Sequence, residues 1–371
     1  MTQFQSPEAI GLSSEQLDHV YHFLEEAVQT GKIPGAAIQI TRHSVSIAPR
    51  SFGRLNLTTD SPPVQPDTIF LTASVTKPVT VTGVMLLVER GKVGLDDPVC
   101  SIIPEFGVNG KAQVTVRHLM THTSGLPDML PEDRTLRGQH APLSEFVRRI
   151  CALPLDFPAG TNIQYQSCGI AMLGALVERL EGVSLPTFLQ REIFAPLGMT
   201  DTALGRQDLP SERIAQVNIP AEMQGKSWGW NLPYWHNFGA PWGGMFSTVG
   251  DMSRFCQLFL NGGELDGVRI LRPATVQAMI TDQTAMLAEI PASVRAGQSW
   301  GLGWRRQPTS EWAFFGDRIT AGSYGHGGAT GTVVWVDPAR ALVCALFTTQ
   351  PSASSEGLLG HCSNLVAATA I

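Results

Sequence analysis

Segments rich in β-branched residues lie near both ends of the chain, and this arrangement constrains the fold more than any other feature. Residues 36–41 and 45–48 are predicted to be short strands, and so are residues 332–336 and 341–347. The last two are joined by Asp337-Pro338-Ala339-Arg340, a spacing that predicts an antiparallel hairpin. With a largely helical middle, these strands predict an α/β (α+β) fold whose antiparallel sheet is assembled from both termini.

Helices are predicted to flank this sheet at each end of the chain. Ser13 and Gln16 have capping-box spacing, and apolar residues recur at helical spacing from there to Gly31. A second amphipathic segment covers about residues 354–370 and predicts a closing helix. The chain should therefore begin and end with a helix packed on the sheet.

The middle of the chain is predicted to be an inserted helical region, with apolar helical segments at 79–88 and 170–180. A cleft between the sheet and this region is the expected site for a small ligand. The predicted domain covers residues 14–371, with a sheet part at about 14–70 and 270–371 and a helical part at about 71–269.

Composition indicates a globular protein that acts on small molecules. The 371 residues are 43% hydrophobic, and the formal net charge of −6 comes without long single-sign runs, which argues against nucleic-acid or anionic membrane surfaces. No stretch has the length of a membrane span, and no secretory signal is visible. We expect a cytoplasmic location, or a periplasmic or secreted one if a leader has been removed. The six scattered cysteines are expected to be free thiols.

Three short motifs carry the side chains of a nucleophilic active site. They are Ser74-Val75-Thr76-Lys77, Tyr165-Gln166-Ser167 and His326-Gly327-Gly328. A serine hydroxyl is a poor nucleophile at neutral pH, and a lysine three residues later on a helix lies on the same face as a base. We expect the helix to begin at or just before Ser74, which keeps Pro78 in its first turn.

In this order the motifs resemble those of the serine β-lactamase and penicillin-binding-protein superfamily. The tyrosine of the second motif is similar to that of class C β-lactamases, D-alanyl-D-alanine carboxypeptidases and family VIII esterases. The resemblance runs from about residue 14 to the C-terminus and implies a β-lactamase/DD-peptidase-like fold. Other segments similar to this branch are residues 121–126, 157–160, 196–199 and 243–248.

The resemblance implies acyl transfer without a metal or an organic cofactor. Ser74 would be the nucleophile, Lys77 would accept or relay its proton, and Tyr165 would exchange protons with the leaving group. A nearby lysine ammonium would also stabilise a Tyr165 phenolate and bring its pKa of about 10 toward working pH. The backbone N–H groups of Ser74 and Ala329 would form the oxyanion hole. Substrate-binding positions implied by the resemblance are His326, Gly327, Gly328 and Ser167.

Departures from the family pattern indicate the substrate class. Gly327 lacks the hydroxyl that usually helps to bind a substrate carboxylate, and His326 replaces the more usual lysine with a weaker anion-binding group. Ser167 stands where an asparagine is usual and removes an amide. These changes disfavour acidic peptide-like substrates and favour neutral esters.

The sequence therefore predicts a serine hydrolase that forms an acyl-enzyme on carboxylic esters. A β-lactamase or D-alanyl-D-alanine carboxypeptidase, an acyltransferase that uses an alcohol instead of water, and a non-catalytic ligand-binding module are the alternatives. The expected partner is a small ester or amide, and the sequence leaves the oligomeric state open.

Aromatic residues concentrate between residues 228 and 242, and two interpretations of them remain open. They could line an apolar acyl or alcohol pocket, for which Trp235 and Trp242 are the candidates, or they could pack a long loop over the core.

Three further patterns are weaker. Residues 297–301 match the Gly-x-Ser-x-Gly nucleophile elbow around Ser299, but Pro291 lies where a strand is required. His118 and His122 have the spacing of a zinc pair without an intervening glutamate, so His122 is expected to brace the turn at residues 121–125. The glycines of residues 325–331 lack nucleotide-binding phasing.

Overall fold

The protein is described by a computed structural model that covers residues 4–58, 60–306, 313–355 and 357–371. An antiparallel sheet is built from both ends of the chain, as the sequence predicts, and its order is β2-β1-β12-β11-β10-β9, with β3 also paired to β1. The strands are β1 (Gly35–Arg42), β2 (Val45–Ser46), β3 (Arg50–Gly53), β4 (Phe70–Leu71), β5 (Ala203–Leu204), β6 (Met245–Ser247), β7 (Glu264–Leu265), β8 (Val268–Arg269), β9 (Arg305–Arg306), β10 (Tyr324–Gly328), β11 (Thr332–Asp337) and β12 (Leu342–Thr348).

Helices cover both faces of this sheet and form the inserted region. α1 and α12 pack together on the outer face, while α9 packs on the inner face between the sheet and the helical region. The helices are α1 (Ser14–Gln29), α2 (Thr76–Glu89), α3 (Val116–Met120), α4 (Asp133–Gly138), α5 (Leu143–Ala152), α6 (Cys168–Glu181), α7 (Leu185–Leu189), α8 (Pro233–Phe238), α9 (Val249–Leu260), α10 (Pro273–Ile280), α11 (Ala292–Gly297) and α12 (Leu358–Ala367). In the described ranges no helix combines the length and apolarity that a bilayer span requires.

Local signals at the chain ends are confirmed. The Ser13 hydroxyl accepts a hydrogen bond from the Gln16 N–H at 3.2 Å and caps α1. β11 and β12 form the predicted antiparallel hairpin, and Ile38 of β1 pairs with Leu346 of β12. The second predicted strand is shorter than expected and ends at Ser46. Each of the six cysteines is a free thiol.

The start of α2 differs from the prediction. Ser74 lies in a 3₁₀ turn, Ala73–Val75, and the α-helix begins two residues after it, at Thr76. Pro78 thereby stays within the first helical turn, where its missing N–H costs no hydrogen bond. Ala73 enters this turn with φ of 46°, a left-handed conformation that is uncommon for a residue with a side chain.

Two buried hydroxyl groups attach the β10–β11 turn to the segment that precedes Ser74. Thr330 Oγ1 donates to the Leu71 carbonyl at 2.6 Å, and Thr332 Oγ1 donates to the Thr72 carbonyl at 2.7 Å. Gly328 lies in the same contact, because a Cβ at this position would come 2.2 Å from Thr332 Oγ1 and 2.3 Å from the Thr72 carbonyl oxygen. The backbone of the sheet at Gly328 and the backbone before Ser74 are therefore in direct contact here, with no room for a side chain between them.

This close approach predicts that Gly328→Ala destabilises the protein by about 1–3 kcal/mol, since the backbone carbonyl cannot move aside without strain. Urea unfolding curves measure the change in the free energy of unfolding. Gly250→Ala in α9 is the matched control, because its Cβ would lie 3.7 Å from the nearest heavy atom, and it should be neutral or stabilising by up to about 1 kcal/mol. Equal unfolding midpoints for the two variants would contradict the packing argument.

Candidate active site

Ser74 lies partly exposed at the junction between the sheet and the helical region. Thr76 Oγ1 donates to the Ala73 carbonyl at 2.6 Å and accepts from the Met245 N–H at 3.1 Å, which ties the left-handed residue to the neighbouring strand β6. The backbone before the serine is thus held from two sides, and the hydroxyl of Ser74 is presented by a fixed turn.

Lys77 is fully buried beneath this serine. Its Nζ lies 3.0 Å from Ser74 Oγ, donates to the Trp242 carbonyl at 3.0 Å, and lies 4.6 Å from the centre of the Tyr165 ring. Burial lowers the pKa of Lys77 from 10.5 to about 7, although the charge of Asp128 opposes this shift. At and above neutral pH the amine therefore has a free lone pair that can accept the serine proton.

Tyr165 lies beside Ser74 and Lys77 and completes the predicted trio, but its ionisation differs from the prediction. The side chain is half-buried and hydrogen-bonds to Ser74, and desolvation raises its pKa well above the usual value for a phenol. The expectation that Lys77 brings the Tyr165 pKa toward working pH is therefore wrong, because desolvation outweighs the hydrogen bond. Tyr165 is a neutral phenol in the resting site and can donate its proton.

His122 braces the segment that carries Tyr165. Its carbonyl accepts from the Gln164 N–H at 2.9 Å, and its Nδ1 accepts from the Gln166 N–H at 3.2 Å. The imidazole lies 4.8 Å from the Tyr165 ring centre, and burial keeps its pKa well below 6.5. With φ of 60°, His122 adopts a conformation that is unusual for a non-glycine residue.

His118 and His122, whose spacing is that of a zinc pair, have separate structural contacts. His118 Nδ1 accepts from the Thr115 N–H as part of the cap of α3, and the described residues contain no group of three or more side chains suited to a metal ion.

The second motif ends at the start of α6. The Ser167 N–H donates to Asp128 Oδ1 at 2.8 Å, and Ser124 Oγ donates to Gln166 Oε1 at 2.6 Å. Each residue of the motif therefore contacts the loop at residues 121–128. Tyr165 contacts His122, Gln166 binds Ser124, and Ser167 binds Asp128.

The third motif forms the C-terminal part of β10. His326 and Gly328 lie on the strand face toward Thr72 and Ala73, while Gly327 lies on the other face, against Phe314. A Cβ at Gly327 would come 2.6 Å from the Phe314 ring, so a serine or threonine cannot be placed here without moving that ring. Burial lowers the pKa of His326 to about 3, and the imidazole is neutral.

Ala329 follows directly in the turn between β10 and β11. It is exposed, and its carbonyl accepts from the Ser352 N–H at 3.1 Å. The two hydroxyl bonds from Thr330 and Thr332 hold this turn beside the Ser74 segment. An oxyanion hole made by the N–H groups of Ser74 and Ala329 stays a prediction.

The two tryptophan candidates for pocket lining have different surroundings. Trp242 borders a small apolar cavity beside Ser167, whose other lining residues are Met129, Leu130, Phe146, Ile150 and Cys168. Trp235 is buried against the Arg137 guanidinium, 4.6 Å from its ring centre, and is not among the residues around this cavity. The cavity is too small for an acyl or alcohol group, so pocket lining stays a prediction for both tryptophans. The Trp242 backbone carbonyl accepts from Lys77.

The structure does not form a nucleophile elbow at Ser299. Gly297 ends helix α11, whereas an elbow requires a strand before the serine. Ser299 Oγ instead donates to Asp282 Oδ2 at 2.7 Å.

Sequence reasoning missed two residues near the predicted trio of Ser74, Lys77 and Tyr165. The buried Trp300 ring lies 4.3 Å from the His122 ring centre and 5.9 Å from that of Tyr165. The Arg305 guanidinium lies 5.5 Å from the Trp300 ring centre, and Arg305 pairs with Gly325 in the sheet. Trp300 lies within the Gly-x-Ser-x-Gly pattern of residues 297–301, which drew attention to Ser299, and Arg305 belongs to no motif. The glycines around Trp300 fit a turn equally well.

Comparisons with known proteins agree with this architecture. A family model described as Beta-lactamase matches residues 21–360. Penicillin-binding protein 4 of Amycolatopsis lactamdurans is 31% identical over 302 residues, which cover 79% of this chain and 75% of that protein. Esterase EstB of Burkholderia gladioli is 30% identical over 382 residues, which cover 93% and 92%.

A solved structure supports the fold over almost the whole chain. EstCE1, described as a hydrolase with promiscuous acyltransferase activity, aligns with a TM-score of 0.77 at 22% identity and covers 96% of this chain and 98% of its own. Because the family model spans most of the sequence and both relatives align over more than three-quarters of it, this protein belongs to the Beta-lactamase family of serine hydrolases.

Proposed function

We propose that this serine hydrolase cleaves small carboxylic esters through an acyl-enzyme on Ser74. The observation that carries the proposal is the 3.0 Å contact between Ser74 Oγ and Lys77 Nζ, made by a buried lysine whose pKa is lowered to about 7. A nucleophile and a base in hydrogen-bond contact are the minimum that covalent acyl transfer requires.

Acylation follows from this arrangement. Lys77 takes the proton of Ser74 as the oxygen attacks the ester carbonyl, and the N–H groups of Ser74 and Ala329 are proposed to stabilise the oxyanion. The tetrahedral intermediate then expels the alkoxide, which takes the proton of the neutral Tyr165 phenol and leaves as an alcohol. The Lys77 ammonium returns a proton to Tyr165 and becomes neutral again.

Deacylation repeats the same proton transfers with water as the nucleophile. Water loses a proton to Lys77, its oxygen attacks the acyl carbonyl, and the Ser74–acyl bond breaks to release the acid. The departing Ser74 oxygen takes the proton of Tyr165, and the Lys77 ammonium returns a proton to Tyr165, which regenerates the enzyme. An alcohol in place of water gives transfer of the acyl group to a new ester. The promiscuous acyltransferase activity of the structurally similar EstCE1 makes this reaction the second candidate.

The preference for neutral esters rests on the third motif and on Ser167. A neutral His326 has no positive charge with which to bind a substrate carboxylate. The Phe314 ring fills the space beside Gly327 that a hydroxyl-bearing side chain at this position would need. The similarity to esterase EstB favours the same class of substrate, whereas the similarity to penicillin-binding protein 4 keeps β-lactams as the main alternative.

A pH profile tests the role of Lys77. Since the reactive form is the neutral amine, we expect kcat/KM to rise about tenfold per pH unit below pH 7 and to level off above it. Initial rates with p-nitrophenyl butyrate between pH 5 and 9, corrected for spontaneous hydrolysis, measure this limb. Lys77→Arg keeps a cation but provides no base, and it should lose at least about 100-fold in kcat while remaining folded. A flat profile, or an active Lys77→Arg enzyme, would contradict this role.

Intact-protein mass spectrometry with p-nitrophenyl butyrate and a penicillin distinguishes the candidate activities. We expect rapid turnover of the ester and a slowly released penicilloyl adduct, both abolished in Ser74→Ala. Ser299→Ala is the control and should retain full activity, because Ser299 binds Asp282 instead of the site. Faster turnover of the penicillin than of the ester would identify a β-lactamase. Absence of any adduct or turnover would indicate a binding module.

Removal of the His122 imidazole should lower kcat through Tyr165. We expect His122→Ala to reduce kcat by about 10–100-fold with KM changed by less than about threefold, because a displaced phenol protonates the leaving group poorly. His122→Asn should recover part of this loss, since asparagine tolerates positive φ and its Oδ1 can accept the Gln166 N–H.

The matched control is His140→Ala. His140 also has positive φ, 53°, but stacks on Tyr234 at a distance from the motif residues, so its removal should leave kcat within about twofold. Equal losses of kcat in the His122 and His140 variants would refute the bracing role.

A further inference from the structure

We propose that His326 selects ester substrates that carry a hydrogen-bond donor, a hydroxyl or an amide N–H, on the acyl group. The imidazole would accept this hydrogen bond through Nε2 and thereby distinguish such substrates from purely apolar esters. This inference rests on the proposed ester hydrolysis and names the substrate class of that same site.

The tautomer of His326 follows from its hydrogen bond. Nδ1 lies 2.8 Å from the carbonyl oxygen of Gly327, and a carbonyl oxygen can only accept, so Nδ1 carries the proton. In a neutral imidazole the other nitrogen is then a lone-pair acceptor. Nε2 therefore has no proton to donate and can bind only a donor group.

The imidazole stays neutral because of its surroundings. His326 is buried, and the two cationic side chains that act on it, Lys77 and Arg305, both disfavour an additional positive charge. The Gly327 carbonyl acts in the opposite direction and does not overcome burial. A protonated His326 that could bind an anion is thereby excluded at the pH values at which Lys77 is a base.

The position of Nε2 places the acceptor beside the catalytic residues. His326 and Gly328 share one face of β10, and that face contacts the backbone immediately before Ser74. The imidazole centre lies 6.1 Å from that of Tyr165 and 5.9 Å from that of Trp300. Because Nδ1 is bound to its own strand, Nε2 is on the side of the ring away from that bond.

Nε2 has no hydrogen-bond partner within the described ranges, although it is shielded from solvent. Buried polar atoms are normally paired, and an unpaired one in a catalytic site is explained by a partner that arrives with the substrate. A substrate donor would satisfy Nε2, whereas an apolar group or a carboxylate would leave the lone pair unpaired or repelled.

The test compares pairs of p-nitrophenyl esters that differ only in the donor. One pair is the 3-hydroxybutyrate and the 3-methylbutyrate, where a hydroxyl replaces a methyl of similar size. The second pair is N-acetylglycine and N-acetyl-N-methylglycine esters, which removes the amide N–H. Wild-type enzyme should show at least a tenfold higher kcat/KM for the donor-bearing member of at least one pair, after correction for the spontaneous rates.

Variants at residue 326 assign the preference to the imidazole. His326→Phe removes Nε2 and should bring the ratio of kcat/KM values close to one. His326→Gln keeps an acceptor oxygen and should retain part of the preference, with urea unfolding curves to confirm that both variants fold. A wild-type ratio near one for both pairs, or an unchanged ratio in folded His326→Phe, would overturn the proposal. If His326→Phe does not fold, a reduced ratio in His326→Gln would support the proposal, and an unchanged ratio there would overturn it.

The outcome also separates this inference from the proposed function. Turnover of the 3-methylbutyrate ester that disappears in Ser74→Ala establishes ester hydrolysis whatever the ratio within a pair. A ratio near one with such turnover refutes only the role of His326, whereas the absence of turnover with all four esters refutes both.

Discussion

The burial of one amino group beneath Ser74 determines the charge state of the candidate active site. An exposed lysine is protonated at neutral pH and can only donate hydrogen bonds. Lys77 is enclosed by α2, the Trp242 carbonyl and the Tyr165 ring, and its pKa is lowered to about 7. The same desolvation raises the pKa of Tyr165, so the site pairs a base with an acid instead of an ammonium with a phenolate. One environment thus assigns opposite roles to two side chains that have nearly the same pKa in water.

The three motifs meet because a few polar contacts join distant segments. Thr330 and Thr332 hold the β10–β11 turn against the backbone before Ser74, and His122 holds the segment of Tyr165. Thr80 Oγ1 adds a bond of 2.7 Å to the Pro241 carbonyl, next to the carbonyl that binds Lys77. Each of these contacts uses backbone as one partner, which leaves the side chains of the site free for chemistry.

The sequence predicted the features that depend on local patterns. The β11–β12 hairpin, the cap of α1 at Ser13 and the Ser74–Lys77 spacing follow from periodicity, turn residues and helical geometry, and the structure has all three. The neutrality of Tyr165 could not be predicted, because its desolvation depends on tertiary contacts with residues from separate segments, such as His122 and Trp300. The family resemblance identified the motif residues, but it contained no information on which of them are desolvated.

The pairing of β1 with β12 has a consequence for biosynthesis. Residues about 300 positions apart, such as Ile38 and Leu346, are neighbours in the sheet, and β10 is fixed through β11 to that same last strand. Contacts of such long sequence separation are slow to form, and they require a chain whose final strand has left the ribosome. A nascent chain therefore contains Ser74 and Lys77 long before the cleft can assemble, and the candidate site can form only once β12 has been synthesised.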